Sequence, residues 1–83
     1  MAKPPAGPQV VLDVRHYHAQ GREPFGDIMA AVQNLQPGQV FVLLNTFEPF
    51  PLYRVMEQMG FQHHAEQTPE GDWRITFWKG TQA

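Results

Sequence analysis

The spacing of Phe25, Ile28, Met29, Val32 and Leu35 constrains this chain more than any other feature. These residues fall at i, i+3, i+4, i+7 and i+10, so on a helix they form one apolar stripe that must be buried against something. Pro24 suits the first turn of such a helix, where its missing N–H costs nothing, and Pro37-Gly38 stops it. The pattern returns at Leu52, Val55, Met56 and Met59, with Pro51 at the start and Gly60 placed for the left-handed position past the end. Two such helices need an apolar surface to cover, and strand-like runs between them supply it.

Val10 to Val14 read as a strand with Val10, Leu12 and Val14 on one face. Val40 to Leu44 are apolar without alternation and too few for a helix, which predicts a strand with both faces at least partly buried. Phe61–Gln67 and Trp73–Trp78 flank Thr68-Pro69-Glu70-Gly71, whose proline and glycine fit a type I hairpin turn. In the last strand Trp73, Ile75 and Phe77 face one way, and Arg74, Thr76 and Trp78 the other. Residues 15–23 and 45–49 read as polar loops. The order β-α-β-α-β-β predicts an α/β two-layer sandwich, with both helices on one face of a four-stranded mixed sheet.

Eighty-three residues allow one domain with a thin core, burying about 60–65% of the unfolded surface. Residues 1–8, with three prolines and a glycine, are expected to be a flexible lead-in, 9–79 the domain and 80–83 a tail. There is no cysteine, so no disulfide stiffens the fold, and no serine either. No secretory h-region or membrane-length apolar run is visible, so a cytoplasmic protein without membrane contact is expected. The net charge of −2 argues against nucleic acid, since no basic surplus exists to meet phosphates.

Leu12-Asp13-Val14-Arg15, Gly21-Arg22-Glu23-Pro24-Phe25 and Leu35-Gln36-Pro37-Gly38 resemble the start of the TusA/SirA-like sulfur carriers. Asn45 to Tyr53 and Gly71-Asp72-Trp73-Arg74 look more like a cysteine-free sister branch of unknown function, whose members also occur beside hemerythrin-like domains. The resemblance covers about residues 10–79. It implies strand order 1-2-4-3, with the fourth strand antiparallel to the rest. Sulfur carriers of this type use a Cys-Pro pair at the start of the first helix. Here that stretch is Gly21-Arg22-Glu23-Pro24, and a persulfide needs a thiolate sulfur that this chain lacks, so sulfur transfer does not carry over.

Without serine or cysteine the usual acyl-transfer nucleophiles are missing, and no enzyme activity or cofactor is expected. The edge where two parallel strands end and both helices begin is the natural ligand site of such sheets, and helix N-termini attract anions. Its loops offer Asp13, Arg15, His18, Arg22, Glu23, Asn45, Glu48 and Tyr53 as a rim for a small polar or anionic ligand. The plainer alternative is structural: Asp13 and Arg15 tie a loop, Glu23 caps a helix, and Asn45 and Glu48 brace a turn.

His16 and His18 share one side of an extended segment and, with Asp13 or Glu48, make a candidate metal set; ordinary loop histidines are the alternative. His63 and His64 point to opposite faces of the third strand, which under the implied order lies roughly 14 Å from the first. On the sheet face without helices, the second strand presents either Val40, Val42 and Leu44 or Phe41 and Leu43. We take Phe41, Leu43 and Trp78 as a contact surface for a protein partner or a second copy, unless side-chain bulk and the tail cover it.

The leading reading is thus a non-catalytic binding or interaction module. The alternative is a histidine-based metal-binding or redox accessory domain using His16, His18 and Glu48. RNA binding suits a small α/β sandwich but not this charge.

Overall fold

A computed structural model describes residues 4–79. Strand β1 (Gln9–Asp13) leads through a 3-10 turn at His18–Gln20 to helix α1 (Phe25–Gln33). Strand β2 (Val40–Asn45), helix α2 (Phe50–Gln58), and strands β3 (Phe61–Gln67) and β4 (Trp73–Lys79) follow. The sheet order is β1-β2-β4-β3, with β1 parallel to β2 and β4 antiparallel to both of its neighbours. This is the mixed sheet with two helices that the apolar spacing and the resemblance imply.

Both helices lay their stripes on one face. Ile28 and Val32 of α1 and Leu52, Tyr53 and Met56 of α2 share a core with Val14, Phe41, Leu43, Phe61, Ile75 and Phe77. Phe41 and Phe77 face each other across the β2–β4 pair with ring centroids 6.0 Å apart. Gly60 ends α2 with φ +90°, and its N–H donates to the Glu57 carbonyl at 3.0 Å; a residue with a Cβ is strained there.

Three details depart from expectation. α1 stops at Gln33, four residues short of Pro37, because Asn34 closes it: its backbone and side-chain amides both donate to the Ala30 carbonyl. Leu35 still packs against the core from the turn beyond. Tyr17, inside the segment read as a polar loop, is buried in the core. The stretch 4–8 holds neither helix nor strand, yet it is docked: the Pro8 carbonyl accepts from the Val40 N–H, and a side chain on Gly7 would collide with the Gly38 carbonyl. Residues 1–3 and 80–83 of the expected lead-in and tail lie outside the described residues.

The sheet face away from the helices corrects the expected contact surface. Phe41 and Leu43 are 0% exposed under the helices, because β4 pairs Phe41 with Phe77 rather than with Trp78. The residues on the other face are Val40, Val42 and Leu44, flanked by Val11 on β1 and by Trp78, Thr76 and Arg74 on β4. Even these form no broad apolar patch. Val40 and Val42 are almost wholly covered, and the Arg74 guanidinium reaches across β2 to Gln9 Oε1 at 3.4 Å. Of the large apolar side chains on this face only Val11 stands out into solvent. Among the described residues no helix is long and apolar enough to cross a membrane.

Candidate functional site

Strand β2 ends at Asn45, and the chain turns through Thr46–Pro49 into α2. From β1 it passes through the 3-10 turn, reverses at Gly21 (φ +69°) and enters α1 past Glu23-Pro24. Both helices therefore begin beside the carboxyl end of β2, and a cleft of about 310 Å³ opens between them. That volume is at the small end of the range for ligand pockets. Its walls are apolar: Phe25 and Ile28 of α1, Leu43 of β2, Pro51, Leu52 and Val55 of α2, and Phe47 and Pro49 of the connecting turn. Among the described residues, only His18, Glu23 and Asn45 bring polar side chains to it. His18 packs on Phe47, ring centroids 5.2 Å apart.

The mouth of this cleft is rimmed by aromatic rings in water. Phe25 and Phe47 are each 47% exposed, and Phe50, the first residue of α2, is 64% exposed. Phe25 and Phe47 line the cleft, whereas Phe50 lies outside it with its ring edge-on to Tyr53. The polar-loop reading passes over Phe47, and the helical stripe places Phe25 in the core, whereas it is half exposed. A signal was present in the sequence: Phe47 lies between Thr46 and Glu48 in a segment with no helical or strand periodicity, where no core position awaits it.

Of the expected rim residues, the cleft takes in His18, Glu23 and Asn45 and leaves out the rest. Asp13 pairs in register with Leu44, on the face away from the helices. There Arg15 binds it through Nε and Nη2 at 2.9 and 2.8 Å and reaches Asp72 with Nη1 at 3.1 Å. Arg22 donates to Asp27 at 3.2 Å and lies 4.2 Å over the Tyr17 ring, while the Tyr17 hydroxyl donates to the same carboxylate at 2.7 Å. That bond holds the Tyr17 phenol above its usual range. Glu48 accepts from the Tyr53 hydroxyl at 3.0 Å, and the Tyr53 ring stacks on His63 at 3.7 Å. Burial, then the Glu48 carboxylate, pushes the Tyr53 phenol up.

Several backbone donors at these helix starts are already engaged within the protein. The Glu23 carboxylate already accepts from the Phe25 N–H at the head of α1. In the first turn of α2, Phe50 donates to the Glu48 carbonyl, Leu52 and Tyr53 donate to the Pro49 carbonyl, and Pro51 has no N–H. A second anion would meet Glu23 at close range, with no Lys or Arg among the described residues lining the cleft. His16 lies edge-on to Tyr17 and His18 on Phe47, Glu48 is engaged by Tyr53, and no three His, Cys, Asp or Glu converge on a metal position among the described residues.

The Asp13–Arg15 contact carries a pH prediction. Hydrogen bonding from Arg15 holds the Asp13 carboxyl down at about 2, against a partial opposing effect of burial. A depressed folded-state value means stabilisation that is present above the unfolded value, about 4, and is lost as pH falls through about 2. Both side chains are about 40% exposed, so solvent screening limits the contribution to about 1 kcal/mol or less. Asp13→Asn is expected to lower the melting temperature by a few degrees at pH 7. Thermal melts should show that difference vanishing between pH 4 and pH 2; a constant difference would assign it to something other than charge.

Residues 11–79 match the profile of a family described as an uncharacterized conserved protein (DUF2249). No curated protein and no solved structure matches the chain. The matched stretch takes in all of β2, α1, α2, β3 and β4, and with them every wall of the cleft, so the chain belongs to the DUF2249 family.

Proposed function

We propose that this chain is a non-catalytic binding module whose recognition site is the cleft between the two helix starts, and that it takes a compact apolar group. One observation carries the reading: exposed Phe25 and Phe47 flank a 310 Å³ apolar cavity that the protein's own side chains do not fill. Exposing these rings to water is unfavourable unless an occupant covers them. Residues 9–79 act in this reading as one folding unit.

The TusA/SirA-like resemblance agrees in position. The stretch matching the sulfur carriers' Cys-Pro pair ends in Glu23-Pro24, and both residues stand at this cleft. The place of their chemistry is thus occupied by a helix-capping carboxylate, which cannot carry sulfane sulfur. In this reading the family shape is retained and the covalent step is not.

Ethylbenzene is a suitable probe, since it has a ring, a short apolar arm and no polar atom. Backbone amide resonances should move saturably with millimolar ethylbenzene, as expected for so small a ligand. The shifts should cluster at His18, Glu23, Phe25 to Ile28, Leu43 to Phe47, Phe50 and Leu52 to Val55. Shifts confined to the groove at the opposite end of the sheet, beside Pro5, Leu35 and Trp78, would refute this assignment.

A further inference from the structure

Asn45 is the one buried polar side chain of the cleft, at 4% exposure. It follows Phe41 and Leu43 at strand spacing, so it projects to the helix side of the sheet, where Leu43 also lines the cavity. Its Oδ1 accepts from the Thr46 N–H at 3.0 Å. That bond fixes the amide's orientation, because turning it over would set two donors against each other. Nδ2 is therefore the end left over, and among the described residues it has no acceptor. A buried amide N–H without a partner is costly, and Asn45 is one of the residues that line the cleft.

We infer that the ligand of this cleft is a small neutral compound with an apolar ring or branched body and a carbonyl oxygen, the oxygen accepting from Asn45 Nδ2. This rests on the cleft being the recognition site and adds the polar half of the ligand. The body fits the walls of Phe25, Ile28, Phe47 and Val55. Neutrality follows from the charges: Glu23 stands at the rim and opposes a carboxylate, while Asn45 offers a cation only a donor. The oxygen replaces whatever water Nδ2 holds in the empty cleft, so the bond yields discrimination between ligands more than raw affinity.

The test compares acetophenone with ethylbenzene, the same skeleton with and without the carbonyl, and adds benzoate as the charged relative. Each is titrated against the wild-type chain, Asn45→Asp and Asn45→Leu by amide chemical shift. Asn45→Asp keeps the acceptor for Thr46 and replaces the donor; Asn45→Leu removes both and keeps the bulk. Comparing the ratio of acetophenone to ethylbenzene affinity between wild type and variant cancels the difference in their hydration. That ratio should fall about three- to tenfold in both variants, the worth of one hydrogen bond. Benzoate should bind the wild type at least several-fold more weakly than acetophenone. An unchanged ratio in both variants, with ethylbenzene still titrating the cleft, overturns the carbonyl inference and leaves the apolar site standing. Benzoate binding as tightly as acetophenone overturns neutrality. Failure of ethylbenzene itself to bind the wild type removes the site and this inference together.

Discussion

Phe77→Ala is expected to lower the melting temperature by roughly 15–30 °C, the largest loss from any single truncation in the fold. Phe77 is 0% exposed on β4, the strand that joins β2 to β3. Its ring meets Phe41 at 6.0 Å, Tyr53 of α2 at 6.2 Å and His63 of β3 at 6.0 Å. One side chain thus ties three strands to a helix, and no neighbour can collapse into the space without leaving its own contacts. Removing such a ring costs about 3–5 kcal/mol, the transfer term plus the cavity left behind. A domain of this length has only roughly 4–12 kcal/mol to lose. Phe50→Ala, the same chemical change at a residue 64% exposed, should cost less than about 1 kcal/mol. Urea or thermal unfolding of the two variants side by side decides the matter. Similar losses in both would mean that the core is not centred where the β2–β4 pairing puts it.

That core was legible in the chain itself, because a period of 3.6 at Ile28 and Val32, and again at Leu52 and Met56, leaves one place for each helix. The unbroken run Val40–Leu44 likewise identified the central strand, buried on both faces. Cross-strand register was not legible. Nothing local tells whether Phe41 stands opposite Phe77 or Trp78, and a slip of one residue exchanges the faces. This is why Phe41, Leu43 and Trp78 were grouped on one surface.

The position of the cleft was legible from topology, and the pairing of the polar side chains around it was not. Parallel β1 and β2 do bring their ends and the helix starts together, but the polar residues there satisfy one another: Asp13 with Arg15, Arg22 with Asp27, Glu48 with Tyr53. Asp13 was separable from the outset, since it alternates with Leu12 and so lies on the far face. Asn45 was named, but its free donor depends on a backbone turn that composition cannot show.

Val55→Trp is expected to abolish binding in the cleft while leaving the fold intact. Val55 is half-buried on α2 and forms part of the cavity wall. Valine and tryptophan have similar helix propensity, so α2 survives the change, and the indole has an apolar cavity beside it to enter. In doing so it covers Phe25 and Phe47 from within, as a ligand does from without. The melting temperature should hold or rise, because a filled cavity gains contacts that an open one lacks.

The decisive measurement is therefore an ethylbenzene titration of the Val55→Trp chain beside the unaltered one, followed by amide chemical shift at Phe47 and Leu52. Recognition between the helix starts requires a saturating curve for the unaltered chain and an affinity at least tenfold lower, or no curve, for the filled one. Two superimposable curves would show that the protein holds apolar molecules somewhere else.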